Sequence, residues 1–183
     1  MKVWLDLFTD NEAVSDSFPQ LPVVDADGNE VPGLFMVQSK IVAKGGESID
    51  VGGGNAFGGG GADEAVDDAV EKVNNMADVD VGFGYNCMAF DKKSEFKEYM
   101  KTYVVRVRKH LKQSGHEDME GFKSDSQAAF KFLLSVFKDT VFYVFKDFDT
   151  EAGGVWEYWD DEANEKGAPK FIFFKHGLKE VKY

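Results

Sequence analysis

Residues 91–115 read DKKSEFKEYMKTYVVRVRKHLKQSG, and the period of this stretch decides the fold. Phe96, Tyr99, Met100, Tyr103, Val104, Val107 and Leu111 recur at three- and four-residue intervals, so they share one helix face. Asp91 is the expected cap, and Gly115 stops the helix as glycine commonly does just past an end. A second helical period spans about 117–138, carried by Met119, Phe122, Phe130, Leu133, Leu134 and Phe137. The Ser-Gly-His turn between the two predicts an antiparallel helical hairpin over about 91–138.

Outward from the hairpin, the pattern changes to strands. Val141–Lys146, Val155–Trp159 and Lys170–Phe174 are aromatic runs of strand length on the C-terminal side. On the N-terminal side, Val3, Leu5 and Leu7 alternate with Trp4, Asp6 and Phe8. Residues 9–17 read as a polar break. Leu21–Val24 and Val31–Val37 flank Asp25-Ala26-Asp27-Gly28-Asn29, where Asp-Gly predicts a hairpin turn. That turn fails as an EF-hand loop, because the sixth and twelfth positions from Asp25 are Glu30 and Met36. Local spacing predicts a helix over 65–76, through Val66, Val70 and Val73 with Asp63 as cap, then a strand at Val79, Val81 and Phe83. Strands, helix pair and strands in that order predict one α+β domain, 1–183, on an antiparallel sheet.

Nine of the 19 glycines fall in Gly45–Gly61, GGESIDVGGGNAFGGGG. A phosphate cradle would need a Gly-Lys-Ser/Thr end leading into a helix. Here Gly61 leads into Ala62-Asp63-Glu64, whose acid repels phosphate, so a mobile loop over about 44–65 is the expectation.

The whole chain narrows the function classes. A net charge of −12 over 183 residues disfavours nonspecific nucleic-acid binding, which needs cations to neutralise phosphates. An acidic surface suits solubility, cationic partners or weakly held Ca²⁺. One cysteine, Cys87, allows no internal disulfide and no thiolate zinc site, and is expected to be a buried structural thiol. No run approaches the ~20 apolar residues of a spanning helix. Asp6, Asp10 and Glu12 interrupt any leader-like apolar segment. A cytoplasmic, monomeric protein without membrane insertion is expected.

No catalytic motif emerges. His110, His116 and His176 form no metal-binding pair, with His110 and His116 expected on solvated surface. There is no Gly-x-Ser-x-Gly elbow. The carboxylates are too many to single out a pair, so the expectation is a noncatalytic protein without a tightly bound cofactor. The first helix is more informative. Residues 92–112 hold eight of the 21 Lys/Arg against two Glu, a local reversal of sign. Lys97, Lys101, Arg108 and Lys112 fall within an arc of about 60° beside the apolar face. They make either a docking edge for an acidic partner or a solvated face balancing the acidic remainder. Asp147-Phe148-Asp149-Thr150-Glu151 and Asp160-Asp161-Glu162 are dense carboxylate turns. They are either weak calcium ligands (Asp147, Asp149, Glu151) or solvated hairpin tips.

Four segments together carry a resemblance. LDLFTDNEAVSDSF near the start, GGGNA in the glycine stretch, FDKKSEFKEYMKTY opening the first helix and FFKHGLKEVKY at the end fall in order along 1–183. Together they resemble the translationally controlled tumour protein family. The resemblance implies a β-tent, a twisted antiparallel sheet with a projecting helical hairpin and a long mobile loop, and places strand rather than helix within 66–83. It implies a cytoplasmic protein that binds calcium weakly and associates with tubulin and microtubules. It further implies an exchange-factor role, proposed and disputed, toward a Rheb-type small GTPase. By position, Glu12 matches the residue tied to the GTPase contact, and 91–112 the basic segment tied to tubulin. Three departures stand out: Phe57 and glycines where Ser and Glu usually follow Gly-Asn, Lys146-Asp147-Phe148 in place of the usual Gly-Glu, and Tyr183 in place of the usual terminal cysteine. The alternatives are a GTPase regulator acting through Glu12 and the sheet edge and, third, an enzyme or small-molecule carrier using the sheet's concave face.

Overall fold

The computed structural model describes residues 1–44 and 71–183. The expected glycine-rich loop, together with Val66 and Val70, lies outside the described residues. Eleven strands are described: β1 (Lys2–Asp6), β2 (Glu12–Ser15), β3 (Leu21–Val24), β4 (Glu30–Gln38), β5 (Ile41–Ala43), β6 (Lys72–Asn74), β7 (Asn86–Cys87), β8 (Thr140–Val144), β9 (Gly154–Tyr158), β10 (Lys170–Phe174) and β11 (Leu178–Lys182). The α-helices among the described residues are α1 (Lys93–Gln113), α2 (Met119–Ser135) and the short α3 (Asp161–Lys166). All strand pairings among the described residues are antiparallel. A six-stranded sheet runs β3-β4-β10-β9-β8-β7, a three-stranded sheet β11-β1-β2, and β5 pairs with β6.

The strand period of two explains the layering. Along β10, Ile172 and Phe174 face one apolar cluster while Phe171 and Phe173 face another. The same division sends Leu34 and Met36 of β4 one way and Phe35 and Val37 the other; β9 splits Trp156 from Val155. The first cluster lies under α1 and α2, with Phe96, Met100, Val107, Phe122 and Leu133 contributed by the helices. The second takes Ala13 and Val14 of β2, Met76 and Tyr85, with Trp4 and Leu178 at its margin. Both faces of the central sheet are thus covered, which is why β10 reads KFIFF with no polar alternation.

The hairpin and the β3–β4 turn form as expected, with Gly28 at φ +83 in the turn. Other expectations need correction. Asp91 does not cap α1: the N-cap is Lys92, extended and without a capping side chain, and Glu95 alone supplies acid to the first turn. At the other end Gly115 takes φ +78, and the His116 amide donates to the Leu111 carbonyl at 2.9 Å. The expected helix over 65–76 gives way, in its described part, to β6, where Val73 pairs with Val42; the resemblance predicted strand here correctly. The expected strand at 79–83 is a set of turns. Asn74 Oδ1 accepts from the amides of Met76 and Ala77, and Asp78 Oδ2 from those of Asp80 and Val81. These local acceptors replace a ladder. The polar break at 9–17 contains β2. Cys87 is exposed on β7 rather than buried.

Candidate binding surface on the first helix

α1 is held by its apolar face. Phe96 packs edge-on to Trp156 with centroids 6.3 Å apart, and Tyr99 lies 5.0 Å from Phe142. Two polar ties fix its rotation. The Tyr99 hydroxyl donates to the Ala152 carbonyl at 2.7 Å, and Arg106 Nη1 donates to the Glu151 carbonyl at 2.7 Å. The Arg106 guanidinium also lies 4.0 Å over the Phe8 ring. His110 meets the same ring edge-on at 5.7 Å and is half-buried, not fully solvated as expected; His116 is exposed.

Beneath this face sits a buried acid. Asp6 Oδ2 accepts from the amides of Phe8 and Thr9, at 3.2 and 2.9 Å, and from the Thr9 hydroxyl at 2.8 Å. Burial raises its pKa above the ordinary carboxylate value against the pull of those hydrogen bonds. Tyr103 on α1 stands beside it, its phenol pushed up first by burial and then by the Asp6 charge. A Cβ at Gly153 would come 2.6 Å from the Tyr103 hydroxyl oxygen and 2.8 Å from Asp6 Oδ1. A side chain there would have to displace Tyr103 or Asp6.

The rotation fixed by these contacts turns Lys97, Lys101, Arg108 and Lys112 outward. All four are exposed, and among the described residues no carboxylate comes within 4.0 Å of any of them. Arg106, counted with the same eight basic residues, is committed to the fold instead.

The carboxylate turns are placed differently from one another. Asp147, Asp149 and Glu151 lie in the loop between β8 and β9, where Asp149 Oδ1 accepts from the Glu151 amide at 2.9 Å and Phe148 takes φ +55. Among the described residues no three His, Cys, Asp or Glu side chains converge as a metal site. Asp160 is half-buried and Glu162 exposed, but both are tied into the fold rather than left as a free tip. Asp160 caps α3 by accepting from the Ala163 amide at 2.8 Å, and both carboxylates hold the Lys170 ammonium, at 2.7 and 3.2 Å. Spacing could not show Lys170, which is ten residues from Asp160 and reads as the polar end of an aromatic strand. Glu12 opens β2, an outer strand of the three-stranded sheet, and is exposed opposite Leu5 beyond a register shift.

The model of the family described as translationally controlled tumour protein matches residues 1–179. The chain belongs to the translationally controlled tumour protein family. It is 30% identical to the homologues of Plasmodium berghei (strain Anka) and Plasmodium chabaudi chabaudi, each over 184 aligned positions that cover all of both chains. Among solved structures, the family member of Schizosaccharomyces pombe superposes with TM-score 0.71 at 26% identity, covering 100% of each chain. The Caenorhabditis elegans member gives TM-score 0.57 at 22% identity, covering 100% of this chain and 99% of its own, a likeness of fold alone. Membership supports a non-enzymatic regulatory protein with mixed α+β architecture.

Proposed function

We propose that this chain is a noncatalytic binding protein that stabilises microtubules by laying the basic stripe of α1 against acidic tubulin. The single observation behind this reading is the stripe itself: four exposed cations without carboxylate partners among the described residues, in a chain of net charge −12. Neutralising such charges internally would have been easy in so acidic a chain. Cosedimentation with microtubules tests it, comparing the parent with Lys97, Lys101, Arg108 and Lys112 all changed to Glu. The variant is expected to stay in the supernatant; unchanged pelleting overturns the reading. Weak calcium binding belongs to the same proposal, with Asp147, Asp149 and Glu151 as ligands. A residue-by-residue calcium titration should move those amides at roughly 10⁻⁴–10⁻³ M, and a flat response removes them.

A second reading is favoured by one observation, the exposure of Glu12 on an outer strand. In it the protein regulates a Rheb-type small GTPase through Glu12 and that edge. Nucleotide exchange measured with parent and Glu12→Lys protein tests it, and no acceleration by the parent at micromolar concentration counts against it.

A further inference from the structure

The two helices of the hairpin do not close completely on their outer side. Between them lies a groove of about 520 Å³, with Val104 from α1 and Met119 and Phe130 from α2 as half-buried apolar walls. Phe130 backs onto Phe174 at 5.2 Å, so one side of its ring belongs to the core while the residue also borders the groove. Arg108, Lys112 and Lys123 line the groove and are exposed; Glu120 is the acid among its lining residues. Lys123 falls four residues after Met119 and seven before Phe130, so α2 carries a cation on the face that completes the α1 stripe. Lys97 and Lys101, by contrast, stand clear of the groove.

This divides the basic stripe into two parts with different chemistry. Around Lys97 and Lys101 an acidic partner meets solvated ammonium groups alone, which give little affinity and are screened by salt. At Arg108, Lys112 and Lys123 the same partner meets three cations around an apolar trough. We infer that the α1–α2 groove receives an acidic protein segment bearing one large apolar side chain, which inserts between Val104, Met119 and Phe130 while flanking carboxylates pair with Arg108, Lys112 and Lys123. Arg108 suits this role because its planar guanidinium can grip a carboxylate by two parallel hydrogen bonds. The inference rests on the proposed use of this helix by an acidic partner and adds the anchor.

Two fluorescent Glu-rich peptides of equal length and charge, one with a central Leu and the other with Ser there, separate the possibilities by anisotropy at about 0.15 M salt. The Leu peptide is expected to bind the full chain about tenfold more tightly, the effect of burying one aliphatic side chain. Gln127→Trp, at an exposed lining position, fills the groove without altering charge and should abolish the Leu advantage while sparing the Ser peptide. Should that variant melt early, the NMR signals of Val104 and Met119 in the parent provide the second readout. They should shift with the Leu peptide and stay in place with the Ser peptide. Equal affinity of the two peptides overturns the anchor, even if the charge-reversed protein has lost microtubules. A Leu preference that persists in a folded Gln127→Trp variant also overturns it, as does binding of neither peptide. A Leu preference with microtubule binding untouched by charge reversal would sustain the groove and remove the tubulin reading.

Discussion

Lys170 and Lys112 carry the same ammonium into opposite settings. The Lys170 side chain is 3% exposed, enclosed at the start of β10 and held by Asp160 and Glu162. Burial works against its charge, but the two carboxylates outweigh that and raise its pKa above the ordinary lysine value. Lys112 stands exposed at the end of α1 with no carboxylate in reach among the described residues. Asp6 and the free stripe of α1 repeat the contrast, one acid enclosed by three donors and four cations by none. A charge enclosed by its own chain is spent on the fold, whereas a charge left in water remains available to a partner. Sequence shows both as Lys or Asp, and only packing separates them.

The contrast breaks most visibly across α1 itself. Phe96→Ala, on the buried face one residue before Lys97, should cost about 3–5 kcal/mol in denaturant unfolding through a cavity beside Trp156 and Phe137. A cost near that of a surface change would mean the face is not packed as described. Next in size is Asp160→Asn. The amide keeps the cap on the Ala163 amide but leaves Lys170 with Glu162 alone, and a loss of about 1–3 kcal/mol is expected. Because the Lys170 pKa is raised on folding, its contribution is full below the unfolded-state value and disappears as pH rises through the folded one. The gap between parent and variant should therefore be constant near neutrality and shrink only in alkali.

Asp6 sharpens the comparison in the opposite sense. Its folded pKa is raised, so only between the unfolded and folded values does the native state hold a proton that the unfolded state has released. Stability from this group is present at acid pH and falls as pH climbs from about 4 through the folded value. Asp6→Asn keeps an oxygen for the Phe8 and Thr9 donors and removes the titration. The variant should lose little at neutral pH, within about 1.5 kcal/mol, and its deficit should grow as the pH is lowered. A deficit independent of pH would show that Asp6 does not titrate differently in the two states.

How much of this was legible in the sequence follows from the range of the interactions. The hairpin helices were legible because their signal is local: seven apolar residues of α1 repeat with the helical period. β10 was legible to the residue because a strand buried on both faces is a continuous apolar run. Among the strands, those missed take their stability from distant partners. β2 is called up by pairing with β1, β11 by pairing with the other side of β1, and β6 by three residues of β5. Turns at 78–82 were misread because alternating Val79, Val81 and Phe83 carried a strand pattern, while Asp78 side-chain bonds decided the backbone. At the candidate surface the four stripe cations were legible from helical angle alone. Lys123 was not, since it reaches the same groove from a second helix, nor was the commitment of Arg106 to Phe8 and Glu151.

The smallest expected effect tests the comparison most directly. If the stripe cations are outside the fold, changing Lys97, Lys101, Arg108 and Lys112 to Ala should leave the melting temperature within about 2 °C of the parent. In a chain of net charge −12, removing four cations also adds general repulsion, which works toward destabilisation. A stability unchanged within that margin, despite the added repulsion, is therefore stronger evidence than the same result in a neutral protein. Raising the salt then separates the two contributions, because general repulsion weakens with screening while a lost specific contact does not recover. A deficit that persists in high salt would place the stripe among the enclosed charges, beside Lys170, and would leave the acidic partner without its surface.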